Sequence, residues 1–122
     1  MNNKVKMTAA EKAEWLEKTT GSSIVAKIGI NDKGNVIVVQ DAQTVSVGHT
    51  RHGVVRVVEM TAGTDLATVK GRNVIASRVV SRYAVPYSEQ GQAEQRRRQA
   101  KGIQIAQGVM RGENKLPRGM DI

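Results

Sequence analysis

The chain has 122 residues, with 19 Lys or Arg against 11 Asp or Glu and a formal net charge of +8 at pH 7. It contains no cysteine, which excludes disulfides, thiolate metal sites and cysteine nucleophiles. Its length suits one domain, and because phenylalanine is absent the core must be aliphatic and thin, which favours homo-oligomerisation.

The positive charge is concentrated in the second half of the chain. Residues 1–65 carry eight basic against seven acidic side chains, whereas residues 66–122 carry eleven against four. Such asymmetry predicts a polyanionic partner, which is most often nucleic acid and less often an anionic membrane surface. The N-terminus lacks an apolar signal segment, and no apolar run approaches the length of a membrane-spanning helix. We therefore expect a soluble cytoplasmic protein with no membrane partner.

The first 60 residues predict a short helix followed by strands. Thr8 and Glu11 have capping-box spacing ahead of a helix over residues 9–18. Val and Ile then dominate from residue 22 to 60, and Asn31-Asp-Lys-Gly34 between two such runs predicts a hairpin turn.

The first strand of this hairpin and the elements that follow it are also predicted. Alternation places Ile24, Ala26, Ile28 and Ile30 on one face of the first strand. Two further strands are expected over residues 43–48 and 54–60, with residues 41–42 and 51–53 as connections. Links this short favour antiparallel order.

Residues 73–85 are consistent with either a helix or a strand. A helix separates their apolar and polar side chains more cleanly, and we favour it, although Val, Ile and Tyr prefer strands. Preceded by Asp65–Gly71, such a helix resembles the second helix of a helix-turn-helix unit, with Ser77, Arg78, Ser81 and Arg82 facing a DNA groove. The alternative, that the segment extends the core sheet, stays open.

Pro86 ends this segment, and Ser88 is placed to cap a helix over residues 89–110. The expected apolar stripe of this helix comprises Ala93, Ala100, Ile103, Ala106 and Met110. Three glycines each weaken it by about 1 kcal/mol relative to alanine. The predicted organisation is a β-rich core with an N-terminal helix over residues 1–87, a basic helix over 88–110, and an extended or disordered tail over 111–122.

The basic side chains of the second half are the candidate phosphate contacts, because guanidinium groups match phosphate geometry and release counterions on binding. The predicted contacts are Arg78, Arg82, Arg96, Arg97, Arg98 and Lys101, with Lys70, Arg72 and Arg111 in support. The glutamines of the same helix could add hydrogen bonds to bases or phosphates; they are Gln90, Gln92, Gln95, Gln99, Gln104 and Gln107. A merely solvated basic face is the alternative, since three consecutive arginines cannot all face one groove.

Other chemistry finds little support in the sequence. His49 and His52 lack a third ligand nearby, no catalytic triad or phosphate-binding loop can be assembled, and we expect neither enzymatic activity nor a cofactor. Aromatic residues are few, which disfavours single-strand binding by base stacking and favours duplex DNA over RNA.

The sequence thus predicts an α+β protein with a small antiparallel sheet or barrel-like core, over residues 22–60 or to 85, that binds nucleic acid without catalysis. The alternative is a self-assembling structural or adaptor protein, such as a phage particle component, whose C-terminal segment orders on a neighbouring subunit. A metal-dependent enzyme using His49 and His52 is a third hypothesis.

Overall fold

The computed structural model describes residues 23–46, 49–62 and 73–118. They form strands β1 (Ser23–Ile30), β2 (Val36–Ser46), β3 (Thr50–Met60) and β4 (Val74–Pro86), followed by helix α1 (Glu89–Met110). The strands make an open antiparallel sheet in the order β1-β2-β3-β4. The predicted α+β class, antiparallel sheet and C-terminal helix are confirmed, while the predicted N-terminal helix lies outside the described residues.

The predicted hairpin turn between β1 and β2 is confirmed. The Asn31 amide donates to the Asn35 carbonyl at 2.9 Å, and Gly34 takes a φ of +80°. The Asn31 side-chain oxygen accepts from the backbone amides of Lys33 and Asn35. Both asparagine side chains also donate to one carboxylate oxygen of Glu59, which fixes the turn to the end of β3.

Strands β2 and β3 are longer than predicted. Their register is unbroken from the Val36–Met60 pair to the Ser46–Thr50 pair. The predicted connection at residues 41–42 is therefore wrong, because these residues lie within β2, and residues 51–53 open β3 instead of linking two strands. Polar residues in these segments looked like loop signals, but Asp41 has buried hydrogen-bond partners that allow it to stay in the strand.

The segment 73–85 is a strand, so the favoured helix is wrong. It pairs along the whole length of β3, and this pairing satisfies backbone groups and suits its β-branched residues. The helix-turn-helix hypothesis fails with it. Irregularities in the register near Val80 and Ile75 interrupt the two-residue alternation, which explains why the strand pattern looked mixed in the sequence.

Register shifts in β1 likewise divide its predicted apolar face. Ile24 packs against the cluster around Met60, whereas Ala26 and Ile28 pack against the opposite cluster, beneath α1. Ile30, at the end of the strand, is exposed. The expectation that these residues share one face is therefore wrong, because each bulge reverses the side to which the following residues point.

The sheet is buried on both faces. The face under α1, here called the α1-side core, contains Ile37, Val39, Val55, Val57, Tyr83, Val85 and Ala106. The reverse face contains Val36, Val38, Val58 and Met60. Because β2 and β3 contribute to both clusters, their sequences read as nearly continuous apolar runs.

Helix α1 crosses the sheet from β4 to β1. Near its middle Arg98 contacts Ser81 of β4, and at its end Met110 lies against Gly29 of β1. Beyond α1, Leu116 packs on the α1-side core, and the Pro117 carbonyl accepts a hydrogen bond from the Ser77 amide at 3.0 Å. Of the predicted tail, residues 111–118 thus run back across the sheet to β4.

The predicted apolar stripe of α1 is confirmed in its second half, where Ala106 is buried and Ile103 and Met110 pack against the α1-side core. Its first half is wrong, because small and polar residues are buried there instead. Ala93 and Ala100 are exposed, whereas Gly91, Gln95 and Gly102 are buried. A Cβ at position 102 would lie 2.9 Å from Val55 and 3.0 Å from Val39. The glycines that cost helix propensity therefore allow α1 to lie close to the sheet.

Alanine substitutions at Gly91 and at Gly108 of α1 should have different effects on the free energy of unfolding. A methyl group on Gly91 would overlap the backbone carbonyl of Pro86, whereas one on Gly108 would meet the ends of the flexible side chains of Arg111, Glu113 and Asn114. We expect Gly91→Ala to lower the free energy of unfolding by about 2 kcal/mol. Gly108→Ala should leave it unchanged or raise it by up to about 1 kcal/mol.

Urea unfolding followed by circular dichroism measures both values. Equal destabilisation by the two substitutions would contradict the close contact at the start of α1.

Candidate nucleic-acid interface

The structure distributes the predicted phosphate-contact residues over β4, α1 and the segment after α1. Arg78 and Arg82 are exposed on β4, and Arg111 is exposed beyond α1. On α1, Arg96, Arg97 and Lys101 are exposed and Arg98 is half-buried. Lys70 and Arg72 lie outside the described residues.

Arg98 fastens α1 to β4. One of its guanidinium nitrogens donates to the Ser81 hydroxyl at 2.6 Å and to the Arg82 carbonyl at 3.3 Å, and the other lies 3.0 Å from the Glu94 carboxylate. The guanidinium also sits 5.9 Å from the centre of the Tyr83 ring. Since these groups engage both terminal nitrogens of the guanidinium, the main role of Arg98 is to hold α1 against β4.

The angle of each residue around the axis of α1 determines which other cations face the side of β4. With about 100° between successive residues, Lys101 is rotated about 60° from Arg98 around α1 and Arg97 about 100° in the same sense, so Lys101 lies nearer to the side marked by the Arg98 contacts. Arg96, two residues before Arg98, points away from β4. The side chain of Arg97 is exposed and pairs with Glu94.

Arg78 and Arg118 extend this group of cations along the edge strand. Arg78 pairs across the ladder with Val57 of the α1-side core, so it projects on the same side of the sheet as α1. Arg118 follows Pro117, whose carbonyl is bonded to Ser77, the neighbour of Arg78. We call the set Arg78, Arg97, Lys101 and Arg118 the β4-edge surface.

Besides Arg96 and Arg98, two more predicted contacts lie apart from this surface. Arg82 is opposite Val54 in the ladder and projects to the reverse face of the sheet. Arg111 lies beside the β1–β2 turn, with Asn31 and Lys33 lining the same cleft. Its guanidinium is 2.7 Å from Glu113, and this hydrogen-bonded pair raises the pKa of Arg111 and lowers that of Glu113.

The position of α1 depends on Asp41, a fully buried carboxylate that sequence reasoning took for a connection. The Tyr83 hydroxyl contacts both carboxylate oxygens at 2.8 Å. The side-chain amides of Gln95 and Gln99 donate to it at 2.9 Å and 2.8 Å, and that of Gln43 at 3.1 Å. The amide groups of Gln95 and Gln99 that were predicted to reach nucleic acid therefore hold the carboxylate instead.

Positive charge lies next to this buried group. The Arg51 guanidinium donates to the side-chain oxygen of Gln95, whose amide nitrogen donates to Asp41. Burial, reinforced by the hydrogen bond to Asp41 and by its negative charge, raises the pKa of Tyr83 far above its usual value, against the opposing charges of Arg51 and Arg98. Tyr83 therefore stays protonated and remains a donor.

The two histidines lie at the start of β3, and both are exposed. The His52 Nε2 atom is 3.2 Å from the Ser46 hydroxyl. Within residues 23–46, 49–62 and 73–118, no three His, Asp or Glu side chains are grouped to hold a metal ion.

The chain matches no protein-family model, no curated protein and no solved structure at a significant level. In the part of the chain that the structure describes, no helix is both long and apolar enough to cross a membrane. The polar sequence of α1 accounts for this finding, despite the 22 residues of the helix.

Removal of the Tyr83 hydroxyl should destabilise the fold. Tyr83→Phe deletes a donor to a buried carboxylate, and we expect a loss of about 2 kcal/mol in the free energy of unfolding at pH 7. Tyr87→Phe is the matched control, because Tyr87 is exposed. This substitution should lower the free energy of unfolding by less than about 0.5 kcal/mol.

The stability difference between wild type and Tyr83→Phe should also depend on pH. Because the folded-state pKa of Tyr83 is raised, its contribution is complete below the unfolded pKa of about 10 and declines above it. Urea titrations at pH 7 and pH 11 should show the difference shrinking by about 1 kcal/mol. A constant difference would show that the hydroxyl does not remain protonated against Asp41.

Proposed function

We propose that this protein is a non-enzymatic nucleic-acid-binding protein that contacts backbone phosphates through the β4-edge surface. The observation that carries the proposal is the convergence of cations from a strand, a helix and the C-terminal segment on one sheet edge. Among the described residues, Glu94 is the only carboxylate paired with a member of this surface, Arg97, and its second partner is Arg98. No carboxylate in residues 23–46, 49–62 or 73–118 pairs with Arg78, Lys101 or Arg118, and we propose that these three side chains bind an external anion.

A phosphate backbone suits this surface better than a small anion does. The four cations come from an edge strand, from α1 and from the segment after it, so one extended anion is better suited than a small one to contact them all. Counterion release at about four phosphates gives a slope near −3.6 for log affinity against log salt, which corresponds to roughly a 100-fold loss between 50 and 200 mM salt. Duplex DNA is the preferred substrate because its two phosphate strands are regularly spaced.

The proposal places the protein in the cytoplasm, which agrees with the absence of cysteine-dependent structure. Homo-oligomerisation stays a prediction from the aliphatic core. The assembly alternative, in which the C-terminal segment orders on a neighbouring subunit, is less well supported because Leu116 and Pro117 contact the chain's own sheet.

The proposal is tested with two charge-matched double variants. Arg78→Gln/Lys101→Gln removes two cations of the β4-edge surface, and Lys27→Gln/Lys33→Gln removes two exposed cations on β1 and its turn. The edge strands β1 and β4 are about 14 Å apart, three strand spacings. Both variants lose the same net charge, so a difference in their affinities for nucleic acid shows that the position of the removed cations matters.

Fluorescence anisotropy of a labelled blunt duplex, titrated at several salt concentrations, provides the measurement. The Arg78/Lys101 variant should bind roughly 10- to 30-fold more weakly at 0.15 M salt, with a salt slope shallower by about 1.8. The Lys27/Lys33 variant should bind nearly as wild type does. Equal loss in the two variants would mean that only net charge matters, and no binding by the wild type would overturn the proposal.

Size-exclusion chromatography with light scattering separates the proposal from the assembly alternative. If the proposal is right, the protein has a small molar mass, and its elution volume decreases when duplex is added. A large assembly that resists salt and ignores nucleic acid would favour the structural protein.

A further inference from the structure

Tyr87 is an exposed aromatic side chain at the junction of β4 and α1. It is 58% exposed, whereas Tyr83, four residues earlier, is 6% exposed. The Arg51 guanidinium lies over the Tyr87 ring, 4.7 Å from its centre. The junction thus presents a largely exposed ring with a cation over one face.

The backbone around Tyr87 is fixed by hydrogen bonds. Its amide donates to the His49 carbonyl at 2.8 Å, and the next amide, of Ser88, donates to the Pro86 carbonyl at 2.8 Å. The Ser88 hydroxyl caps α1 by accepting from the Gly91 amide at 3.3 Å. Pro86 restricts the chain further, so the ring is presented from a rigid support.

Arg51 is also fixed, because it donates to Gln95, which is bonded to Asp41. A guanidinium held against one face of the ring adds positive charge next to the aromatic surface. Nucleic acid offers both groups that such a pair recognises, since a base has a flat π-face and its phosphate is anionic.

We infer that Tyr87 is a stacking platform for one unpaired base, with Arg51 supporting the ring and attracting the adjoining phosphate. This inference rests on the proposed function and adds a substrate class to it: a duplex that carries a single-stranded extension. A single platform binds one base beside a duplex, which is compatible with the scarcity of aromatic residues along the chain.

The spacing between this platform and the β4-edge surface suits such a substrate. Tyr87 stands two residues before α1, and Arg97 lies eight residues into the helix, about 12 Å along its axis. This length corresponds to between three and four stacked base steps of 3.4 Å each. A strand leaving a duplex bound at Arg97 can therefore reach Tyr87 within a few nucleotides.

The inference is tested by comparing a blunt duplex with the same duplex bearing an eight-nucleotide single-stranded extension, both measured by anisotropy. The wild type should bind the extended duplex about tenfold more tightly. Tyr87→Phe should keep this preference because it keeps the ring, and Tyr87→Leu should bind both duplexes with the affinity of the blunt one. Arg78→Gln/Lys101→Gln should weaken both complexes by the same factor.

The outcomes distinguish this inference from the proposed function. If the wild type binds both duplexes equally and Tyr87→Leu changes neither, the stacking platform is wrong and phosphate binding stands. If the wild type binds neither duplex, the proposed function itself fails.

A second measurement needs no substitution at Tyr87. Photocrosslinking of wild-type protein to an extension containing 5-iodouracil, followed by mass spectrometry, should place the crosslink on Tyr87. Crosslinks confined to other residues would overturn the inference even if Tyr87→Leu failed to fold.

Discussion

The buried carboxylate of Asp41 is the interaction on which the position of α1 depends. It lies in the middle of β2 and accepts hydrogen bonds from side chains of β4 and α1, two elements that both follow β2 in the chain. An isolated buried charge would be strongly unfavourable, but hydrogen bonds and nearby guanidinium groups compensate it. Its directional bonds fix α1 along and around its axis, which an aliphatic contact alone would not do.

The packing around this network is consistent with its role. Gly91 and Gly102 allow α1 to approach the sheet closely enough for glutamine side chains to reach Asp41. Gly53 serves the same end, because a side chain there would occupy the position of the Tyr83 ring. With α1 held in this way, Arg98 reaches Ser81 of β4, the strand that also carries Arg78. The proposed interface is thus a consequence of how the core is assembled.

Local signals predicted part of this structure. The hairpin turn and the C-terminal helix were predicted from short-range patterns, because a turn or a cap is determined by a few adjacent residues. Strand β4 was missed because register shifts broke its alternation, and pairing with β3 overrode the helical pattern. The role of Asp41 depends on partners 42 to 58 residues away, which no local pattern indicates. Sequence identified Arg97 and Lys101 as candidate contacts but could not separate them from Arg96, nor place Arg118 beside them.

The most direct test of the account is to map the bound surface by NMR, titrating isotope-labelled protein with a short blunt duplex at near-physiological salt. The account predicts shift changes concentrated at Arg78 on β4, at Arg97 and Lys101 on α1, and at Arg118, with little change in the β1–β2 turn. Changes centred on that turn and β1, or no changes at all, would contradict the claim that the β4 edge is where this protein meets nucleic acid.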